Sequence, residues 1–185
     1  YAICSITFKL SLIPKPNLKR IEFIKLRFIN KNSLNLQYKI RNTVIHYRTN
    51  GKNLPNKSIY GSSGSFFKAS IITDYKKLIM ILFKTLSNLG VKATLLILIS
   101  SIKNRSSDGF KISSKLIIKL SNLSNLKIGS FFLLPSNPAC IVSRINKNPL
   151  SADLTKMIKI IRKNIYNNTG IALAIEPEMI DFDEL

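Results

Sequence analysis

Two short segments of this chain hold residue types that could do chemistry. The first is Gly64-Ser65-Phe66-Phe67-Lys68, preceded by Gly61-Ser62-Ser63. Its glycines let the backbone turn tightly and approach a ligand. Ser65 then offers a hydroxyl that can give up a proton, and Lys68 offers a cation to an anionic group. The second is Glu176-Pro177-Glu178. Pro177 stiffens the backbone, and the two carboxylates project on roughly one side of an extended segment. With only 9 Asp plus Glu in the chain, such a pair is a candidate acid/base group. Each segment also has a plain structural reading. A Gly/Ser cluster is commonly a connector, here with Phe66 or Phe67 anchoring the next core element, and an acidic strand end is commonly just solvated.

Other chemistries lack residues. His46 is the single histidine and is assigned no role, and Cys4 and Cys140 form no CxxC pair. Neither a Cys/His zinc site nor a Ser-His-Asp triad is expected, and no metal is assigned. The 29 Lys plus Arg give a formal charge of +20, which suits a polyanionic partner such as RNA. Against that partner, the charge is mostly lysine, is spread along the chain and lacks an interleaved aromatic cluster. Ile, Lys and Asn, all encoded by A- and T-rich codons, are abundant, so drift in base composition yields the same charge. Nucleic acid is therefore not the expected partner, and a basic RNA-binding protein of ribosomal type is kept as the competing reading.

The elements that must position the two segments follow from periodicity. The 185 residues, 45% apolar, suffice for one domain, or one plus a fragment. The longest apolar runs, residues 78–83 and 94–102, fall short of the roughly 20 residues of a membrane span. The start, Tyr1-Ala2-Ile3-Cys4, has no secretory character and no Met, which suggests a fragment. Alternation predicts a strand over residues 4–10 and an apolar-alternating stretch over 21–29. Leu36, Ile40, Val44 and Tyr47 predict an amphipathic helix over residues 34–48, with Gly51 as its end. Thr73 or Asp74 caps a helix carrying Tyr75, Leu78, Ile79, Leu82 and Leu86 that closes near Gly90. Residues 103–109 read as a polar loop, 112–122 as a helix, 126–134 and 139–145 as strands. Leu154, Met157, Ile158, Ile161 and Ile165 make the clearest stripe, a helix over residues 151–168 capped by Ser151 and ended by Gly170. A strand over 171–175 then delivers Glu176. This irregular alternation indicates an α+β fold.

Taken in order, the pieces resemble the C-terminal part of the UDP-N-acetylenolpyruvoylglucosamine reductase (MurB, UDP-N-acetylmuramate dehydrogenase) family. The resemblance runs through Tyr1-Ala2-Ile3, His46-Tyr47-Arg48-Thr49 and Lys52-Asn53-Leu54-Pro55. It is sharpest at residues 61–68, similar to the family's GxAGSFFK element. It returns over residues 148–153 and at Gly170-Ile171-Ala172-Leu173-Ala174-Ile175-Glu176-Pro177-Glu178, similar to G-x-x-LEPEV.

That resemblance implies a cytoplasmic bacterial enzyme of peptidoglycan synthesis. Hydride passes from NADPH to FAD, then to the enolpyruvyl double bond of a UDP-sugar, giving UDP-N-acetylmuramate. It implies Ser65 as proton donor, Glu178 as the catalytic glutamate, and Lys52 and Lys68 near the substrate diphosphate. It implies that residues 1–10 are the last strand of an FAD-binding domain and 11–185 the substrate-binding domain, in a monomer. Most of the FAD site would lie outside this chain, no residue here is assigned to the cofactor, and the chain alone is expected to be inactive. An inactive remnant is the third reading. The chain also departs from the pattern. Ala69-Ser70 replaces Asn-Pro after GSFFK, and bulky Lys115 and Phe131 stand where the family has small residues.

Overall fold

The computed structural model describes residues 5, 7, 18, 26, 34–49, 55, 56 and 58–178. The chain divides into two compact units, Tyr1–Asn50 and Gly51–Leu185.

In the first unit, α1 spans Leu34–Thr49. Leu36 is fully buried and packs with Leu18 and Leu26, while Ile40 and Val44 lie against them. This is the predicted i, i+4 stripe, except that Tyr47 is exposed and meets the His46 ring edge-on at 6.0 Å. The strand expected over residues 4–10, the boundary at residue 10, the stretch 21–29 and the helix end at Gly51 lie wholly or mainly outside the described residues.

The second unit is mixed helix and sheet, compatible with the expected α+β class. Its elements are β1 (Tyr60–Ser62), β2 (Ser70–Ile72), α2 (Tyr75–Lys103), β3 (Arg105–Ser106), β4 (Gly109–Ile112), α3 (Ser114–Leu120), β5 (Lys127–Ile128), β6 (Phe131–Leu134), β7 (Asn137–Arg144) and α4 (Ser151–Thr169). One antiparallel sheet has the order β1-β7-β6-β5 and the other β2-β4-β3. The core joins Phe66, Phe67, Leu78, Ile97, Ile117, Leu133 and Ile141 to Met157, Ile158, Ile161 and Ile165 of α4. Each fully buried side chain of this size is worth roughly 1.5–3 kcal/mol.

Four expectations change. The helix capped by Asp74, whose Oδ1 accepts from the Lys76 N–H at 2.8 Å, is broken at Gly90 as expected, but further helix follows at once. Gly90 takes φ 81° and ψ 178°, a conformation open to glycine alone, and a second helical segment continues to Lys103. The two apolar runs thus join in the one described helix long and apolar enough, by length and composition, to cross a membrane. Its Leu78, Ile81, Ala93 and Ile97 are nonetheless part of the protein core.

The polar loop over 103–109 is instead a hairpin with Ser107-Asp108 at its tip, since Ser106 pairs with Gly109. Asp-Gly is a strong hairpin signal. The single strand over 126–134 is two strands folded at Gly129-Ser130, because Ile128 pairs with Phe131. Lastly, Ser151 is the first residue of α4 rather than its cap. Leu150 holds the cap position and makes no side-chain bond. Asp153 in the first turn complements the helix dipole instead.

Candidate functional site

The Gly/Ser loop is short because both of its ends are fixed. Upstream, β1 pairs with β7. Gly64 takes φ 85°, and its N–H donates to Ser62 Oγ at 3.1 Å. Downstream, Phe66 and Phe67 are 5% and 1% exposed, their rings edge-on at 5.4 Å. Burying this aromatic pair anchors the strip while leaving Ser65 and Lys68 exposed at its two ends. The structural reading of the motif is therefore correct as far as it goes, and it is what presents the polar residues.

The EPE segment arrives by the route its sequence indicates. Gly170 closes α4 in the left-handed conformation, φ 75°, and its N–H donates to the Tyr166 carbonyl at 2.8 Å. Thr169 Oγ1 donates to the Ile165 carbonyl and accepts from the Ile171 N–H, at 2.8 and 3.1 Å. Ile171 and Leu173 are buried while Ala172 and Ala174 are exposed, the predicted alternation. The segment forms a single bridge, Phe67 to Ile175, rather than a full strand.

The two motifs meet there. The Lys68 N–H donates to the Ala174 carbonyl and the Glu176 N–H to the Phe66 carbonyl, each at 2.9 Å. Two further bonds fix the strip: Phe66 N–H to the Ala139 carbonyl of β7 at 2.7 Å, and buried Ser114 Oγ of α3 to the Phe67 carbonyl at 2.9 Å. A cleft of about 500 Å³ opens beside it, lined among others by Ser65, Lys68, Ala69, Lys111, Lys115, Asn137 and Glu176.

Of the four residues singled out from sequence, Ser65 and Lys68 share this cleft. Glu178 is exposed and is not among the lining residues, whereas Glu176 is. Lys52 lies outside the described residues. Lys111 and Asn137 were not anticipated, and Lys115, noted only for its bulk, brings a cation to the cleft. Ala69 lines the wall, and the hydroxyl of its neighbour Ser70 is buried without a hydrogen-bond partner. Phe131 is half-buried and packs against the core, away from the lining.

Cys140 was also missed. It is fully buried on β7, and its sulfur accepts from Asn137 Nδ2 at 3.2 Å. Burial pushes its thiol up, while a hydrogen bond with the Ser65 side chain and the charge of Lys115 pull the other way. No sequence signal marks this contact, because β7 and the Gly/Ser loop meet only in the folded chain.

A second, wider cleft of about 710 Å³ is lined by Tyr60, Lys127, Ser130, Phe132, Arg144 and Lys147, among others, and by no carboxylate. Among the described residues, no three His, Cys, Asp or Glu side chains gather to hold a metal ion.

No protein-family model matches the chain. A curated protein does. The chain is 32% identical, over 184 residues, to UDP-N-acetylenolpyruvoylglucosamine reductase of Buchnera aphidicola subsp. Schizaphis graminum (strain Sg). This chain is related to that reductase. The match takes in 98% of the chain and 46% of the reductase, so the chain spans about half the length of its relative. A relationship over nearly every residue includes both the GSFFK and the EPE segments, which the fold has brought into hydrogen-bonded contact.

Proposed function

We propose that this chain is the C-terminal, substrate-binding part of a reductase that turns UDP-N-acetylglucosamine enolpyruvate into UDP-N-acetylmuramate for cytoplasmic peptidoglycan precursor synthesis. The observation that carries the reading is the bonding of residues 66–68 to residues 174–176, which sets Ser65, Lys68 and Glu176 around one cleft. On this reading the family's strongest motifs are one site. Reduced FAD, recharged by NADPH, supplies the hydride when bound. No residue described here is assigned to hold either cofactor.

The chain's own residues supply the rest. Hydride addition to the enolpyruvyl double bond leaves negative charge at the neighbouring carbon. Ser65, exposed at the rim and fixed through Phe66, gives that carbon a proton. A hydroxyl is a weak acid in water and serves only where it is held against the developing charge. Lys68, joined by Lys111 and Lys115, faces the diphosphate as point charges, and Lys52 belongs to the same role. The EPE carboxylates assist at the enol. Glu178 matches the family's catalytic position, and Glu176 lines the cleft.

Titrating the purified chain with the UDP-sugar tests this reading. Saturable binding that weakens in Lys68→Ala supports it. Tight RNA binding with a steep salt dependence, and none to the UDP-sugar, rejects it in favour of the basic nucleic-acid reading.

A further inference from the structure

We propose that α2 docks this protein onto an anionic lipid surface, with its outer apolar face set between headgroups and acyl chains. This docking is independent of the reductase reading of the cleft. Burial singles out α2: more than half of the large apolar side chains exposed among the described residues lie on this one element. Before Gly90 they include Tyr75, Ile79, Phe83 and Leu86, and after it Val91, Leu95, Ile99 and Ile102. Each set recurs at i, i+4, i+8 and i+11, which is one face of a helix. Phe83, Val91 and Ile102 are 66%, 64% and 61% exposed, so this face is bare. The core side of each segment is separate. Leu78, Ile81 and Thr85 are buried before the break, and Ala93, Ile97 and Ser101 after it. At about 100° per residue, the bare stripe stands about a third of a turn from the buried one in both segments.

Charge identifies what covers this face. Lys76, Lys77, Lys84, Lys92 and Lys103 lie on α2, which has no Asp or Glu. By the same count Lys76, Lys92 and Lys103 fall beside the bare stripes, with exposed Met80 and Leu96 beyond them. Lys84 instead lies over the Tyr166 ring, at 4.9 Å. The acids nearest in sequence, Asp74 and Asp108, stand past the two ends, and the Asp74 carboxylate already accepts from the Lys76 N–H. Lysine stems cover apolar surface while their ammonium groups reach the headgroups. An apolar stripe bordered by lysine is the pattern of a helix lying in a membrane surface. Anionic headgroups also attract the net +20 of the whole chain. A second copy would bring the same charge and be repelled. The helix lies on the bilayer rather than crossing it. The break at Gly90 leaves neither segment the roughly 20 residues of a span. Leu78, Ile81 and Ile97 hold both segments to the protein core.

Vesicles test the docking on the chain itself. Co-sedimentation is expected with vesicles of phosphatidylcholine mixed with phosphatidylglycerol, weakening as salt rises and falling sharply with phosphatidylcholine alone. Two paired variants, Ile79→Ser with Phe83→Ser and Leu95→Ser with Ile99→Ser, should each weaken binding by at least about tenfold. These side chains are exposed, so the fold should survive, which circular dichroism checks. Lys92→Gln with Lys103→Gln should weaken binding about fivefold per charge. Ile145→Ser, at an exposed apolar residue outside α2, should change nothing. No binding to the anionic vesicles overturns the proposal. So does binding that both stripe pairs leave intact, which would be a general effect of the +20 charge. Self-association abolished by the stripe pairs, without vesicle binding, would give the face to a second copy and overturn it too. In the complete reductase that carries this segment, the same variants should act alike. Loss of vesicle binding there would mean that the rest of that enzyme covers α2, and would also overturn the proposal. Failure of the chain to bind a UDP-sugar would count against the reductase reading alone.

Discussion

The two clefts of the second unit both draw on β7, but the wider one is lined by the four-stranded sheet and the smaller one also by β2, β4 and α3, and they hold different chemistry. The wider one presents Lys127, Arg144 and Lys147 with no carboxylate, and its Ser130 hydroxyl is buried without a partner. The smaller one gathers the Ser65 hydroxyl, three lysines and Glu176. Basic residues come to both simply because the chain carries a net +20. What separates them is the strip of residues 66–68, bonded on one side to β7 and on the other to residues 174–176. Positive charge is cheap here and carries little information. A held hydroxyl flanked by acidic and basic groups takes contributions from four separate elements.

The comparison breaks most sharply at the hydroxyls. In the complete reductase, Ser65→Ala is expected to lower turnover by about 10²–10⁴-fold, the usual range for losing a proton donor. Ser130→Ala should leave turnover unchanged. Equal effects in a steady-state assay would mean that the smaller cleft is not the reacting one.

The glycines give the next largest contrast. Gly129 in the wider cleft has φ 55°, and an added Cβ would collide with the Asp153 carboxylate. Gly64 has φ 85° but open space around it. Gly129→Ala should cost about 2 kcal/mol and Gly64→Ala about 1 kcal/mol, mostly backbone strain. Urea denaturation of the two variants measures the difference.

Lysine substitutions separate the clefts by ligand. Lys68→Ala or Lys115→Ala should weaken UDP-sugar binding about tenfold each, as losing one charged hydrogen bond does. Lys127→Ala with Lys147→Ala should not change it, which calorimetry would show. The opposite pattern with RNA would assign the wider cleft to nucleic acid.

The smallest effect is a pH dependence confined to the smaller cleft. Burial raises the Cys140 thiol above its ordinary range. The folded state then binds this proton more tightly than the unfolded state. The associated stability is fully present below the ordinary thiol range and is lost as pH rises through the folded value. Denaturation midpoints above that range should fall less steeply for Cys140→Ala than for the unmutated chain.

Much of this was legible in the sequence, and the limits have physical causes. The α4 stripe, its Gly170 exit and the 171–175 alternation are local periodicities, so they could be read directly. The GSFFK and EPE segments were recognisable as motifs, but composition could not bring them together across about a hundred residues. The second half of α2 was missed because its core face, Ala93, Ile97 and Ser101, is small and mixed in character. The Asp108-Gly109 and Gly129-Ser130 turns did carry hairpin signals, hidden inside stretches read as one loop and one strand. The shift in β6–β7 pairing after Leu133 was not read from the sequence either, and with it went Asn137, which pairs with Leu134 and lines the cleft with Ser65.

That shift also says how this stretch of chain can change length. Pro138, Ala139 and Cys140 have no paired residue on β6, so adding or deleting residues there costs little pairing energy. Backbone groups alternate in direction along a strand, however, so a change of one residue turns the Ala139 carbonyl away from the Phe66 N–H, while a change of two restores its aim. The segment behaves as a spacer whose parity, more than its composition, ties the sheet to the loop it supports.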